Sequence, residues 1–162
     1  MMDVIFSHAA PSEDDDQRGA LPPARMCTVL VPVHVDQAFE GFTDYLHLWW
    51  PLGVYSHFGS GSHVSFSQGH WIEESEDGKQ HLWGEIADFV MSQRIVIDFS
   101  LGMESAPVTH LEFTFAEVGT GTEVSLRHDG WARGAAGHAQ YERYERWEEV
   151  MEYYARFMGA QR

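Results

Sequence analysis

Residues 138–158 place Tyr141, Tyr144, Trp147, Val150, Met151, Tyr154, Phe157 and Met158 at intervals of three or four. That period predicts one long helix carrying a broad aromatic stripe. A stripe so wide needs an extended surface to lie on. Upstream, short alternating segments are separated by Gly or Asp-Gly signals, which is the pattern of an antiparallel meander. The helix is therefore expected across the concave face of a curved antiparallel sheet, where it covers either a core or a cavity. The fold class is α+β.

The meander can be read segment by segment. Met26-Cys27-Thr28-Val29-Leu30-Val31 is a short apolar, β-branched run that opens the folded part as a strand. Asp36 is placed as the N-cap of a short helix, with Ala38, Phe39 and Phe42 on one face. Thr43-Asp44 offers a second cap before Leu46, Trp49 and Trp50, and Pro51 stops that segment. Strands follow from Gly69 to Glu74, turning at Asp77-Gly78, then at 82–90, 95–99, 110–115 and 123–128. Gly59-Ser60-Gly61-Ser62 reads as a flexible loop. It is not a phosphate cradle, because no Lys-Ser/Thr follows it.

Residues 1–24 hold three of the six prolines and the run Glu13-Asp14-Asp15-Asp16, and are expected to form a solvated acidic tail on a single domain spanning 25–162. A chain of 162 residues is long enough to bury a core without staples. The single Cys27 excludes an intrachain disulfide framework and fits a reducing, cytoplasmic setting. The N-terminal segment reads as neither signal peptide nor anchor, and no stretch approaches the roughly 18 apolar residues of a membrane span. A formal charge of −15 argues against broad electrostatic binding to nucleic acid or anionic membrane. It leaves the oligomeric state, including a homodimer, open.

Alternation assigns faces, since successive strand residues point to opposite sides. Leu111, Phe113 and Phe115 share one side, and Val124, Leu126 and His128 share another, so His128 is expected to point inward among apolar neighbours. Trp71 and Glu73 share a face, as do Trp83, Glu85 and Phe89. A carboxylate thus falls beside a tryptophan twice.

The order of strand, two short helices, meander and long C-terminal helix resembles the helix-grip fold of the START-like superfamily (SRPBCC, Bet v 1-like). The local motifs resemble its branch named for activators of the heat shock protein 90 ATPase. They are Ala38-Phe39 with Phe42-Thr43-Asp44, Trp49-Trp50-Pro51, Gly69-His70-Trp71-Ile72-Glu73, Asp77-Gly78, Trp83-Gly84-Glu85-Ile86, Arg127-His128-Asp129-Gly130-Trp131, and Trp147. One departure is His70, which stands where the family usually has the second glycine of a pair. The chaperone activators themselves carry a further N-terminal domain, so chaperone activation is not carried over. The resemblance implies a curved sheet of six or seven strands gripping the long helix around a deep, mostly apolar cavity. Relatives in the wider superfamily bind sterols, lipids, polyketides or plant hormones, and some catalyse cyclisation or dehydration.

With 14% aromatic residues and six tryptophans, Trp50, Trp71, Trp83, Tyr144, Trp147 and Met151 are the candidate cavity lining, with Glu73 and His128 orienting the polar end of a ligand. The competing reading of the aromatic set is plain core packing. Tyr154, Phe157 and Met158 are assigned to sealing the core. Burial would perturb the acid–base behaviour of Glu73 or His128, so a cyclase, dehydratase or hydrolase using the same cavity is one alternative. A protein-interaction or co-chaperone-like module presenting Trp49 or Trp50 is another. The expected partner is an apolar or aromatic small molecule. No catalytic residue, cofactor or metal is assigned, because His47, His57, His63, His70 and His81 are spread over loops and different elements without a ligand motif.

Overall fold

In a computed structural model describing residues 20–161, the chain forms one seven-stranded antiparallel sheet with its helices on one face. Most of the segment expected as an acidic tail lies outside the described residues. The elements run β1 (Arg25–Val31), α1 (Val35–Thr43), α2 (Leu46–Trp49), β2 (His63–Ser67), β3 (His70–Glu74), β4 (Gln80–Val90), β5 (Arg94–Phe99), β6 (Thr109–Val118), β7 (Gly121–Asp129), α3 (Ala135–Arg143) and α4 (Trp147–Phe157). Strand order across the sheet is β1-β7-β6-β5-β4-β3-β2, so β1 and β2 are its edges. This is the curved antiparallel sheet gripping a C-terminal helix that the sequence predicts. α4 lies against β1, α1 crosses β6 and β7, and α2 packs on β2 and α4.

Uninterrupted alternation gives the expected faces in β6 and β7. Leu111, Phe113, Phe115, Val124, Leu126 and His128 are all buried. β4 behaves differently. A register shift opposite Trp71 and Ile72 sets both Trp83 and Gly84 against β3, which turns Glu85 to solvent. A second shift at Ala87 turns Phe89 back toward α1, where its ring meets Phe39 edge-on at 5.3 Å. The expected common face of Trp83, Glu85 and Phe89 is thereby broken at Glu85. Gly84 is required at the first bulge, because a Cβ there would sit 2.5 Å from the Asp98 carbonyl and 2.7 Å from the Ile97 side chain.

Three further differences have identifiable physical causes. The expected cap at Asp36 is replaced by His34, whose Nδ1 accepts the Asp36 N–H at 3.4 Å, while the Asp36 carboxylate accepts from Ser92 at 2.7 Å. Strand β2 was not anticipated, being only five residues long and following a Gly-Ser loop. The single C-terminal helix is broken at 144–146. There the Arg146 N–H, which a continuous helix would direct to the carbonyl four residues back, donates instead to the Tyr55 hydroxyl at 2.8 Å. Of the residues assigned to sealing the core, Tyr154 is fully buried, Met158 packs against the core from its edge, and Phe157 is exposed. No helix among the described residues is long and apolar enough to cross a membrane.

Candidate functional site

The sheet curls its inner face around an aromatic cluster. Trp50, at the end of α2, meets Trp71 and Trp83 at centroid distances of 5.2 Å each, and Trp71 and Trp83 are 5.4 Å apart. Trp147 on α4 closes on Trp50 at 6.2 Å and on Tyr55 at 5.1 Å, while Tyr144 packs on Phe99 at 5.2 Å. Edge-on and tilted pairs of this kind each contribute about 0.5–1.5 kcal/mol beyond their burial. All eight residues singled out in the sequence (Trp50, Trp71, Glu73, Trp83, His128, Tyr144, Trp147 and Met151) are buried in this one region between helices and sheet. Trp49 and Trp50 both face inward, so neither presents the exposed ring that an interaction surface on the short helices requires.

Glu73 is a charged group fully enclosed by donors. Its Oε2 accepts from Ser56 Oγ (2.6 Å), Ser62 Oγ (2.6 Å) and Phe58 N–H (3.1 Å), and its Oε1 from His57 N–H (2.7 Å) and the Trp83 indole (3.0 Å). Five donors use every lone-pair direction a carboxylate has. Burial raises its pKa, but the bonds from the His57 amide, Ser56, Ser62 and the Phe58 amide outweigh that and hold it below the ordinary carboxylate range. The loop at 56–62, which contains the Gly-Ser stretch expected to be flexible, is therefore tied at four points to one carboxylate.

His128 is the opposite case. The Trp147 indole can only donate, and it lies 2.9 Å from His128 Nδ1, so Nδ1 is the acceptor. Nε2 then carries the proton and donates to Thr109 Oγ1 at 2.6 Å, and Thr109 donates in turn to the Phe99 carbonyl at 3.1 Å. This relay fixes a neutral imidazole in one tautomer. Burial, helped by the positive charge of Arg25 and by His110, depresses its pKa to about 3. Thr109 was missed in the sequence, although it falls two residues before the inward-facing Leu111 and shares its parity. Cys27 is half-buried, and burial together with Glu148 pushes its thiol up to about 11, far from nucleophilic reactivity.

Five of the six indole N–H groups have an oxygen or nitrogen acceptor: Trp49 on the Gly41 carbonyl, Trp50 on the Tyr55 carbonyl, Trp83 on Glu73, Trp131 on the Pro23 carbonyl and Trp147 on His128. Trp71 is the exception. Its Nε1 is fully buried and has no hydrogen-bond partner among the described residues. Its ring is surrounded by Trp50, Trp83, Phe66, Phe99 and Phe113. Beyond Phe66, a groove of about 710 Å³ opens between α1 and the β2/β4 end of the sheet, lined by residues that include Phe39, Thr43, Ser65, Phe66, Phe89 and Met91. None of the eight predicted site residues lines it.

The structure also brings together a set that the sequence reading left scattered. The imidazoles of His57 and His81 stack in parallel at 3.6 Å, and His81 Nε2 lies 2.6 Å from Glu104 Oε1.

A curved antiparallel sheet holding a C-terminal helix over an aromatic interior defines a helix-grip domain. Residues 32–157 match the family described as Activator of Hsp90 ATPase homolog 1-like protein, and the chain belongs to that family. A search of curated proteins finds no match. Among solved structures, the self-sacrificing resistance protein CalC from Micromonospora echinospora aligns with a TM-score of 0.65 at 21% identity, over 86% of this chain and 98% of that one. The anthrahydroquino-gamma-pyrone synthase Txn09 aligns at 0.57 and 21%, over 84% and 97%. The Aha1 dimer from Colwellia psychrerythraea aligns at 0.55 and 14%, over 85% and 96%. At these identities the likeness is one of fold.

Proposed function

We propose that this domain binds a planar aromatic or apolar small molecule that carries a hydrogen-bond acceptor, gripped between α4 and the sheet by Trp50, Trp71, Trp83, Tyr144, Trp147 and Met151. The supporting observation is the orphaned indole N–H of Trp71. A buried donor without a partner costs about 1–3 kcal/mol, and the other five indoles avoid that cost. A ligand carbonyl seated in the ring of aromatics would supply the missing acceptor. The groove beside α1 is the entry, and Phe66 is its plug. Its ring lines the groove and lies 5.1 Å from Trp71, on the short edge strand β2.

In this reading Glu73 and His128 hold the aromatic interior in shape and do not react. Glu73 has no lone pair left to take a substrate proton, and both nitrogens of His128 are engaged. That favours binding over acid–base catalysis. The resistance protein and the pyrone synthase with the same fold lend the ligand class some support. The single cysteine fits a cytoplasmic setting.

The test uses two probes of one shape, fluorenone and fluorene, titrated calorimetrically. Trp71→Phe keeps an aromatic ring and removes the N–H. It should weaken fluorenone about fivefold, the equivalent of about 1 kcal/mol for one neutral hydrogen bond, and leave fluorene unchanged. Phe66→Ala should speed association of both probes, and Trp147→Ala should weaken both with the fold retained. Absence of binding, or equal affinity of the wild type and Trp71→Phe for fluorenone, overturns the reading.

A further inference from the structure

Glu73 and His81 are direct partners in the β3–β4 ladder, so their side chains leave the sheet on the same face. The Glu73 carboxylate accepts the backbone N–H of His57 at 2.7 Å, which brings that loop residue down beside His81. The result is the parallel stack of the two imidazoles at 3.6 Å, with an interplanar angle of 3°. From the β5–β6 connection, Glu104 completes the group. Its Oε1 lies 2.6 Å from His81 Nε2 and also accepts the Gly102 N–H at 3.1 Å. One donor atom from each of His57, His81 and Glu104 lies within 4.8 Å of the others, the one such group of three among the described residues.

We propose that His57, His81 and Glu104 form a binding site for a divalent transition-metal ion of the Zn²⁺ type. Two imidazole nitrogens and one carboxylate oxygen are a donor set that suits borderline cations, and three protein ligands leave a coordination position for water or a bound molecule. Tetrahedral ligands about 2.0–2.1 Å from zinc are separated by about 3.3 Å, so the three donor atoms already lie near the required spacing, and the two rings tilt out of their parallel stack to bring their lone pairs onto one ion. The His81–Glu104 contact opens slightly as the ion replaces the shared proton.

The supporting groups are already in place. Gly102 orients the Glu104 carboxylate, and Glu73, itself saturated by Ser56, Ser62 and Trp83, fixes the backbone that carries His57. His57 and Glu104 are exposed and His81 is half-buried, so an ion reaches the site without opening the core. A bound metal would join three segments distant in sequence: the loop after α2, the start of β4 and the β5–β6 connection. The site is independent of the groove beside α1, as the two share no residue.

Zn²⁺ titrated calorimetrically into the full chain tests the assignment. One ion should bind per chain with micromolar or tighter affinity. His57→Ala and His81→Ala should each weaken it at least tenfold. His34→Ala alters a histidine that pairs with Asp36 and Glu117 elsewhere on the surface, and should leave it unchanged. Co²⁺ in place of Zn²⁺ should give the visible d–d absorption of a low-coordinate nitrogen–oxygen site, lost in His57→Ala. No binding below millimolar Zn²⁺, or binding that survives both histidine substitutions, overturns the proposal.

Discussion

The grip contains two buried polar centres that solve the same problem in opposite ways. At the β3–β4 side, Glu73 keeps its charge and surrounds it with five donors drawn mainly from a loop. At the β6–β7 side, His128 gives up its charge and is held by one donor and one acceptor, Trp147 and Thr109. A buried charge has to recruit flexible chain to neutralise its desolvation cost, whereas a buried neutral ring can be satisfied by elements already packed there. That difference explains why the loop at 56–62 is ordered by Glu73, and why α4 and β6 meet at His128.

The largest effect that would break this contrast is Glu73→Ala. It removes the acceptor from five donors at once and releases the loop, and should destabilise the domain by about 3 kcal/mol or more in urea unfolding. Loss of under about 1 kcal/mol would mean that the loop does not depend on the carboxylate.

Next comes acid, where the two centres act in different windows. The folded-state pKa of His128 is depressed to about 3 from 6.5, so between those values the unfolded chain binds a proton that the folded chain refuses. Its contribution is fully present above about pH 6.5 and falls by about 1.4 kcal/mol per pH unit below that. Glu73 has a lowered folded-state pKa, so its contribution is present above the unfolded value of about 4.3 and is lost only as pH falls further. His128→Gln should therefore flatten the stability profile between pH 6.5 and 4.5, and Glu73→Gln should alter it only below that range. A profile in which both variants act over the same pH range would erase the distinction.

The smallest effect concerns the helix break. Tyr55→Phe removes the hydroxyl that takes the Arg146 N–H and should cost about 1 kcal/mol, with a gain in helical circular dichroism as the amide returns to its helical partner. Unchanged helicity would assign the break to side-chain packing.

Much of the scaffold could be read from the residues because its signals are local. The parity of Leu111 to Phe115 and of Val124 to His128 is uninterrupted, and Gly78 takes a φ of +85° in the predicted Asp77-Gly78 turn. What escaped depends on partners far along the chain. The helix break is imposed by a hydroxyl 91 residues away, and the bulge that turns Glu85 outward is a matter of pairing with β3. The same holds for His57, His81 and Glu104, whose meeting follows from the β3–β4 register and the Glu73 anchor. Glu73 and His128 were found because a polar residue within an apolar parity pattern is visible locally. Most of their partners were not, since Ser56 and Ser62 look like ordinary loop residues and Thr109 falls at the very start of its strand.

The C-terminal segment touches the rest of the grip through Tyr144, Trp147, Val150, Met151, Tyr154 and Ala155, a surface that is almost wholly apolar, and such a surface adheres without preferring one orientation. Three of its aromatic side chains make polar contacts that remove that freedom: Tyr144 hydroxyl to the Leu101 carbonyl, Trp147 indole to His128, and Tyr154 hydroxyl to the Ala38 carbonyl. They act as index pins at successive heights, fixing both the roll of the helical segment about its axis and its slide along it. In the binding role proposed above, a domain built this way exchanges one apolar occupant for another against the same greasy wall and returns each time to the same alignment.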